Sequence, residues 1–329
     1  MILSPMARGN GAYVLHKSIE RHLSNFRYKV CGYSPWLTLL PITLPLAVEL
    51  SNADLIHTVP DYGLFFYSKK TPMVTTVHHY MCDGEMKPYS SFLQNIHYRT
   101  DLKWFIKKSI ALSKEVTAVS NYTAEHIRNK LKLKRRIHVI PNGIDESFFI
   151  PPAQKRQASK IRVLFSGNLS RRKGSHWLPA ISKRLNPNII IQHTTGLRNE
   201  KLHNSGGNIL NLGRIPFKDL PKLYHNHDIL ISPTVREGFG LAIAEAMACG
   251  LPVVASNCSA VPELIDDGKG GFLCPIGDTD FFAQKINTIA ESPSLRREMG
   301  EYNRAKVEKM FTIKKMINGY RELFEKILS

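Results

Sequence analysis

Cysteine is scarce in this chain. The five residues, at positions 31, 82, 249, 258 and 274, are odd in number and widely spaced, with no C-x-x-C pair. This argues against both a disulfide framework and a structural zinc module, and fits a reducing cytosol. No basic segment followed by an apolar core and a cleavage site opens the sequence, so no secretory leader is expected. Long apolar runs are missing too. The most apolar stretch, Trp36 to Leu50, contains Pro41 and Pro45 and falls short of the about 20 residues that cross a bilayer. A buried strand and turn is expected there, the alternative being a loop that touches lipid or a lipid-linked acceptor. Acidic residues are few: 27 Asp and Glu stand against 45 Lys and Arg, a net charge of +18. Such an excess calls for an anionic partner or surface, either nucleic acid or anionic lipid. Residues 1–150 hold 19 basic and 11 acidic residues and residues 151–329 hold 26 and 16, so there is no basic tail. Zinc-finger spacings, RNP-like aromatic signatures and basic-zipper patterns are all lacking, and nucleic acid is not an expected partner.

With 329 residues and 43% hydrophobic content, the chain can build two cores. Apolar runs of strand length alternate with amphipathic runs of helix length in both halves, the pattern of doubly wound α/β domains. The most informative stretch is Ile231 to Glu263, which reads as strand end, glycine loop, helix, strand and loop. Gly238 and Gly240 flank Phe239 just before the helix-forming run Leu241 to Ala248, so amides at the helix start can face an anion unobstructed by side chains. Glu237 precedes the helix and Glu245 lies inside it, about two turns on. A phosphate would repel both carboxylates, so each is better suited to accept hydrogen bonds from neutral hydroxyls such as those of a sugar or a ribose. Together these features suggest a nucleotide sugar. The bland alternative is a glycine turn opening an ordinary helix, with two glutamates at a chance spacing.

Other segments carry weaker signals. Gly9 and Gly11 stand between a short first strand and the amphipathic run Val14 to Leu23, where they serve either ligand approach or the turn alone. Asp54 to His57 and Met73 to Val77 read as parallel strands ending in polar residues, the second followed by His78 and His79. In Asp101 to Ser113, Leu102, Phe105, Ile106 and Ile110 share a helical face while Lys103, Lys107 and Lys108 lie elsewhere. This is expected to be a domain helix with a solvated basic face, and the alternative is a membrane-surface helix with Trp104 in the headgroup layer. The cluster Lys130, Lys132, Lys134, Arg135 and Arg136 either solubilises a helix end or adds attraction to anionic lipid. Pro141 to Asp145 is a turn, and 151–159 a polar connector. Between the strand Ile161 to Phe165 and the next helix lies Ser166 to Gly174, whose basic residues can neutralise a diphosphate without metal. Asp278 and Asp280 form an Asp-x-Asp pair at a helix start, where capping is the expected role.

The stretch Glu237-GFGLAIA-Glu245 resembles the donor segment of glycosyltransferase family 4, retaining enzymes of the GT-B fold, in both its spacing and its surroundings. The resemblance implies two doubly wound Rossmann-like domains facing a central cleft. Residues 1–148 would form the acceptor side and 149–311 the nucleotide-sugar side, with 312–329 a helix returning to the first domain. It implies catalytic roles for His78, Lys173 and Glu237, with Glu237 holding the sugar and Glu245 the ribose. The remaining implied donor-binding residues are Gly11, Gly167, Asn168, Arg171, Arg172, Ile215, Gly238, Phe239, Gly240 and Leu241. Asn168 stands where the family commonly has Arg, so Arg171 or Arg172 would compensate. The implied activity is hexosyl transfer from a nucleotide-diphosphate sugar to an acceptor hydroxyl, with retention and with neither metal nor cofactor. It would serve cell-surface polysaccharide, lipopolysaccharide or glycolipid synthesis. The acceptor would be a sugar or a lipid-linked group, and the protein would be cytoplasmic, with a peripheral contact on the inner, anionic face of the membrane as a further expectation. The alternatives are a nucleotide-sugar epimerase of the same fold and a non-enzymatic basic protein that binds nucleic acid or membrane.

Overall fold

The structure, a computed structural model, describes residues 1–82, 84–154, 159–196 and 208–329. Part of the connector expected at 151–159, namely 155–158, lies outside the described residues. The chain divides into two compact units, Met1–Gly143 with Ile313–Ser329, and Ile144–Thr312.

Among the described residues of the first unit, β1 (Ile2–Ala7), β2 (Tyr28–Tyr33), β3 (Leu55–Thr58), β4 (Met73–Val77), β5 (Glu115–Ala118) and β6 (His138–Val139) form one parallel sheet in the order β2-β1-β3-β4-β5-β6. The helices are α1 (Gly11–His22), α2 (Leu44–Ala47), α3 (Phe92–Arg99), α4 (Asp101–Leu112) and α5 (Asn121–Leu131), joined by the last helix of the chain, α12 (Ile313–Leu328). Strand β1 is longer than its two leading apolar residues suggest. Its ladder to β3 ends at Leu3, and Pro5 lies beyond, with its carbonyl accepting from Thr58 Oγ1 at 2.8 Å. Every residue of β3 and β4 is buried, as expected of parallel strands covered on both faces. Helix α12 places Met316, Ile317, Tyr320, Leu323 and Phe324 in one core with Ile2, Leu15, Ile19, Tyr28 and Leu55.

The stretch Trp36 to Leu50 departs from expectation. Instead of a buried strand it forms 3-10 turns at Pro35–Leu39 and Pro41–Thr43, followed by α2. Pro35, Pro41 and Pro45 each sit in the first turn of one of these elements, where the missing N–H costs nothing, whereas in a ladder it would leave a gap. Leu44 and Val48 pack inward against Tyr33, Ile56, Phe66 and Met73, while Trp36, Leu39, Leu40, Ile42 and Leu46 are exposed.

Among the described residues of the second unit, β7 (Ile161–Phe165), β8 (Ile189–His193), β9 (Ile209–Asn211), β10 (Ile229–Ser232), β11 (Val253–Ser256) and β12 (Gly271–Cys274) form a parallel sheet in the order β12-β11-β10-β7-β8-β9. The helices are α6 (Leu178–Ser182), α7 (Leu220–His225), α8 (Leu241–Ala248), α9 (Val261–Leu264), α10 (Thr279–Glu291) and α11 (Pro293–Met310). The chain winds outward from β7 through β8 to β9, then returns to β10 on the other side of β7. The topological switch point therefore lies between β7 and β10, and open α/β sheets bind their ligands beyond the carboxyl ends of such strands. The loops that follow these two strands are 166–174 and 233–240. Asp278 caps α10, its Oδ1 accepting from Phe281 N at 2.9 Å.

Phe324 is fully buried, and its ring stacks on Tyr28 with centroids 6.3 Å apart. Phe324→Ala should lower the stability of the first unit by about 3–5 kcal/mol, read from the urea midpoint. An unchanged midpoint would show that α12 contributes nothing to that core.

Candidate active site

The two loops at the switch point are stitched together. Gly174 takes φ +74°, and a Cβ there would collide with the carbonyl oxygen of Pro233, so only glycine allows this approach. Val235 N donates to Arg172 O at 2.9 Å, and Arg172 Nη1 donates to Arg236 O at 2.9 Å. Lys173 Nζ forms an ion pair with Glu237 Oε1, which also accepts from Thr234 Oγ1 at 3.2 Å. Ser259 Oγ accepts from Glu237 N at 2.8 Å, tying in the segment after β11. Burial alone would raise the Glu237 carboxyl. The Lys173 ammonium and the Arg172 guanidinium, with hydrogen bonds from Lys173 and Thr234, instead hold it below its ordinary value. Glu237 is therefore an ionised, buried acceptor at neutral pH. Lys173 uses one of its three N–H donors on it and keeps two.

Gly238, Phe239 and Gly240 lead into α8. Phe239 is buried with its ring edge-on to Phe311, which anchors the loop. Gly240 at φ +105° starts the helix, its carbonyl accepting from Ile243 N and Ala244 N at 3.0 Å, and no side chain caps this end. The first amides of α8, beginning with the half-buried Leu241, have no intrahelical acceptor and are suited to an anion. Glu245 sits on the same helix and accepts from Tyr224 O–H at 2.6 Å. Burial pushes its carboxyl up to about 7, with the Tyr224 hydrogen bond opposing, so Glu245 titrates near neutrality whereas Glu237 does not.

In the loop after β7, Gly167 takes φ +136°, its N–H donates to Thr194 Oγ1 at 3.0 Å, and the space that a Cβ would occupy is open. The amide of Asn168 lies against Gly196, where a Cβ would collide with it. Arg172 is committed to the 233–237 loop, whereas Arg171 is exposed and its guanidinium makes no hydrogen bond or ion pair among the described residues. Ile215 stands apart. It lines a cavity of about 580 Å3 with Arg162, Gln192, Leu212, Asp219 and Lys222, among others, and no other predicted donor-binding residue reaches that cavity.

In the first unit, Gly11 opens α1, whose cap is Asn10 Oδ1 accepting from Tyr13 N at 2.7 Å, and the space beside Gly11 is open. His78 follows β4. Its Nε2 lies 3.5 Å from His16 Nε2, so at most one of the two nitrogens carries a proton. His16 Nδ1 is 2.7 Å from Ser4 Oγ and 3.1 Å from Tyr28 Oη, and Tyr28 Oη is 2.7 Å from His57 Nδ1. His57 Nε2 meets Thr76 Oγ1 at 2.7 Å, and Thr76 Oγ1 lies 3.2 Å from Tyr320 Oη on α12. Burial lowers all three imidazoles below their ordinary value, His57 to about 3, and the neighbouring histidines add to the effect. The column is thus neutral at neutral pH, with the inner nitrogen of His78 engaged by His16.

Arg236, Tyr224, Thr234 and Ser259 hold the site together, yet sequence reasoning did not single them out. Arg236, next to Glu237, was within reach of the motif. Thr234, three residues before Glu237, was as near, whereas Tyr224 and Ser259 make contacts that no local spacing encodes.

A family model described as "Glycosyl transferases group 1" matches residues 160–292, and one described as "Glycosyltransferase Family 4" matches residues 6–148. The chain belongs to glycosyltransferase family 4. The N-acetyl-alpha-D-glucosaminyl L-malate synthase of Bacillus anthracis is 24% identical, over 92% of this glycosyltransferase and 82% of its own length. The MMP alpha-(1->4)-mannosyltransferase of Mycolicibacterium hassiacum is 26% identical, over 86% and 73%. Among solved structures, sucrose-phosphate synthase from Thermosynechococcus elongatus superposes with a TM-score of 0.87 at 18% identity, covering 99% of this chain and 98% of its own. HepE of Anabaena, in complex with UDP and glucose, gives 0.79 at 20% identity, covering 98% and 99%. These likenesses show the GT-B fold. The relatives lend no support to the epimerase or non-enzymatic alternatives.

The two units of this glycosyltransferase should respond to pH with opposite sign. The unfolded chain protonates its three imidazoles as pH falls through about 6.5, while the folded column stays neutral, so the first unit's stability is present above about 6.5 and is lost on acidification toward about 3. The Glu245 carboxyl, raised from 4.5 to about 7, holds its proton longer in the fold, so the second unit loses stability as pH rises through that window. Hydrogen exchange of core amides at several pH values, corrected for intrinsic rates, reads both. Protection of the β3–β4 amides that does not change with pH would refute the first assignment.

Proposed function

We propose that this glycosyltransferase moves a hexosyl group from a nucleoside-diphosphate sugar to an acceptor hydroxyl with retention of configuration, using neither metal nor cofactor. The observation that carries this reading is the ionised, buried Glu237 paired with Lys173 at the switch point, eight residues before the near-neutral Glu245 on the helix that follows. Glu237 accepts hydroxyl hydrogen bonds from the sugar, and Glu245 accepts them from the ribose. The two spare donors of Lys173, the free guanidinium of Arg171 and the amides at Gly238 to Leu241 neutralise the diphosphate as it departs. Gly167 and Gly11 leave room for backbone approach, Asn168 and Arg172 fix the loop that carries Lys173, and Ile215 borders the base. His78 is assigned to the sugar through its outer nitrogen, because His16 engages the inner one. No carboxylate stands out as a nucleophile, so the reaction takes place on one face. The bond from the anomeric carbon to the phosphate oxygen breaks, the acceptor oxygen bonds to that carbon, and the departing phosphate takes the acceptor's proton.

The first unit is assigned the acceptor and the second the donor. The acceptor is a sugar or lipid-linked group in cell-surface polysaccharide, lipopolysaccharide or glycolipid synthesis. No helix among the described residues is long and apolar enough to cross a membrane. The excess charge of +18 supports a peripheral contact with an anionic surface, which is assigned to the cytoplasmic face of a membrane, and nucleic acid is set aside because zinc-finger, RNP-like and basic-zipper patterns are lacking. UDP, present in the HepE complex, is the first base to try.

Calorimetry with UDP, GDP, ADP and their sugar conjugates should show selective binding. Glu245→Ala should weaken it about ten- to a hundredfold, the scale of a hydrogen bond to a charged group. Because a ribose hydroxyl favours the ionised carboxyl, binding should release a proton below about pH 7 and tighten as pH rises toward that value. Titration in two buffers of different ionisation enthalpy counts the proton, and Glu245→Gln should abolish the release. Failure of the folded protein to bind any of these nucleotides would overturn the reading.

A further inference from the structure

The first unit wears part of its apolar surface on the outside. Trp36, Leu39, Ile42 and Leu46 are 79%, 77%, 73% and 89% exposed, within one segment of short turns. Helix α3 is inverted: it has no buried residue, and Phe92 and Leu93 are 78% and 76% exposed. Only Tyr98 packs a ring against the core of Leu102 and Ile106, and polar side chains supply the other anchors. Asn95 Nδ2 donates to Lys87 O at 3.1 Å, and His97 lies 3.3 Å from Tyr62 Oη and 2.9 Å from the Asp101 carboxylate. A globular helix normally buries its apolar stripe and solvates its polar one. The two regions share a support, since α2 and α4 both pack on the 3-10 turn Gly63–Phe66 and α3 packs on α4.

Cations flank this surface. On α4, Lys103, Lys107 and Lys108 are exposed beside the exposed Trp104, with Lys108 Nζ 5.8 Å from its ring centre, and Arg99 ends α3. None of these four cations forms an ion pair among the described residues. Of the acidic groups near them, Asp101 faces His97, and Glu49 closes the 36–50 segment.

We infer that this face, formed by residues 36–46 on one side and α3 with α4 on the other, docks on a lipid bilayer that carries anionic headgroups. The inference rests on the membrane contact proposed above and locates it. Trp36, Leu39, Leu46, Phe92 and Leu93 enter the boundary between headgroups and acyl chains, and Lys103, Lys107, Lys108 and Arg99 meet the headgroup phosphates. A second copy of the chain is the poorer occupant, because a symmetric contact would set the same unpaired cations against each other. The anionic surface neutralises them.

Cosedimentation with vesicles of phosphatidylcholine alone, or with added phosphatidylglycerol, tests this. The protein should bind the anionic vesicles, less so at high salt, and leave the zwitterionic ones unbound. Trp36→Ser with Leu39→Ser and Leu46→Ser, Phe92→Ser with Leu93→Ser, and Lys103→Glu with Lys107→Glu and Lys108→Glu should each weaken binding by about tenfold or more. The far-UV circular dichroism and cooperative thermal unfolding of every variant should match those of the parent, which shows that the variants are folded whether or not a nucleotide binds and so separates this result from the fate of the donor reading. Three outcomes overturn the inference: a parent protein that binds neither vesicle, variants that bind as the parent does, or a dimer in sedimentation equilibrium that the apolar variants dissolve. The second would leave a membrane contact standing at another place.

Discussion

The second unit depends on one contact, the meeting of the loop after β7 with the loop after β10. Parallel strands on either side of a switch point diverge in their connections, so nothing in the sheet itself holds these loops together. Gly174 against the Pro233 carbonyl brings the backbones within a distance that no side chain would allow, and the Arg172 bonds to the 235–236 backbone fix the register. Only in that register does Lys173 reach Glu237. A buried carboxylate without a cation takes up a proton more readily and loses part of its capacity as an acceptor. The Lys173 pair is therefore what keeps the Glu237 carboxylate ionised inside the protein, and the glycine contact is what keeps the pair.

The contrast with Glu245 follows from the same reasoning. Both glutamates leave water, but Glu245 has a neutral phenol as its partner where Glu237 has an ammonium and a guanidinium. A phenol supplies one hydrogen bond and no compensating charge, so desolvation wins and the carboxyl rises to about 7. Two residues of one type, eight positions apart, are thereby given different protonation chemistry by their surroundings.

Much of this was legible in the sequence, for identifiable reasons. Glu237, the Gly238–Gly240 turn and the helix after it form one continuous segment, so spacing alone placed them at a helix start. The Asp278 cap was legible on the same ground, since its partner Phe281 N is three residues away. What failed was reasoning from hydropathy. Trp36 to Leu50 was expected to be buried because it is apolar, but prolines at 35, 41 and 45 divert it from any ladder and leave half of it facing solvent. Composition reports that a segment is apolar, and only tertiary packing decides what it is apolar against.

The histidine column marks a different limit. His16, His57 and His78 come from a helix and two strand ends, 41 and 21 residues apart, and the Tyr320 that closes the column lies on the last helix. No local pattern announces such a set. Each imidazole alone would be costly to bury; together with the hydroxyls of Ser4, Tyr28, Thr76 and Tyr320 they satisfy one another's donors and acceptors. A neutral imidazole has one donor and one acceptor, so fixing the partner of one nitrogen leaves only the other for anything outside. The orientation of His78 is thus determined from behind, by a network that extends to α12.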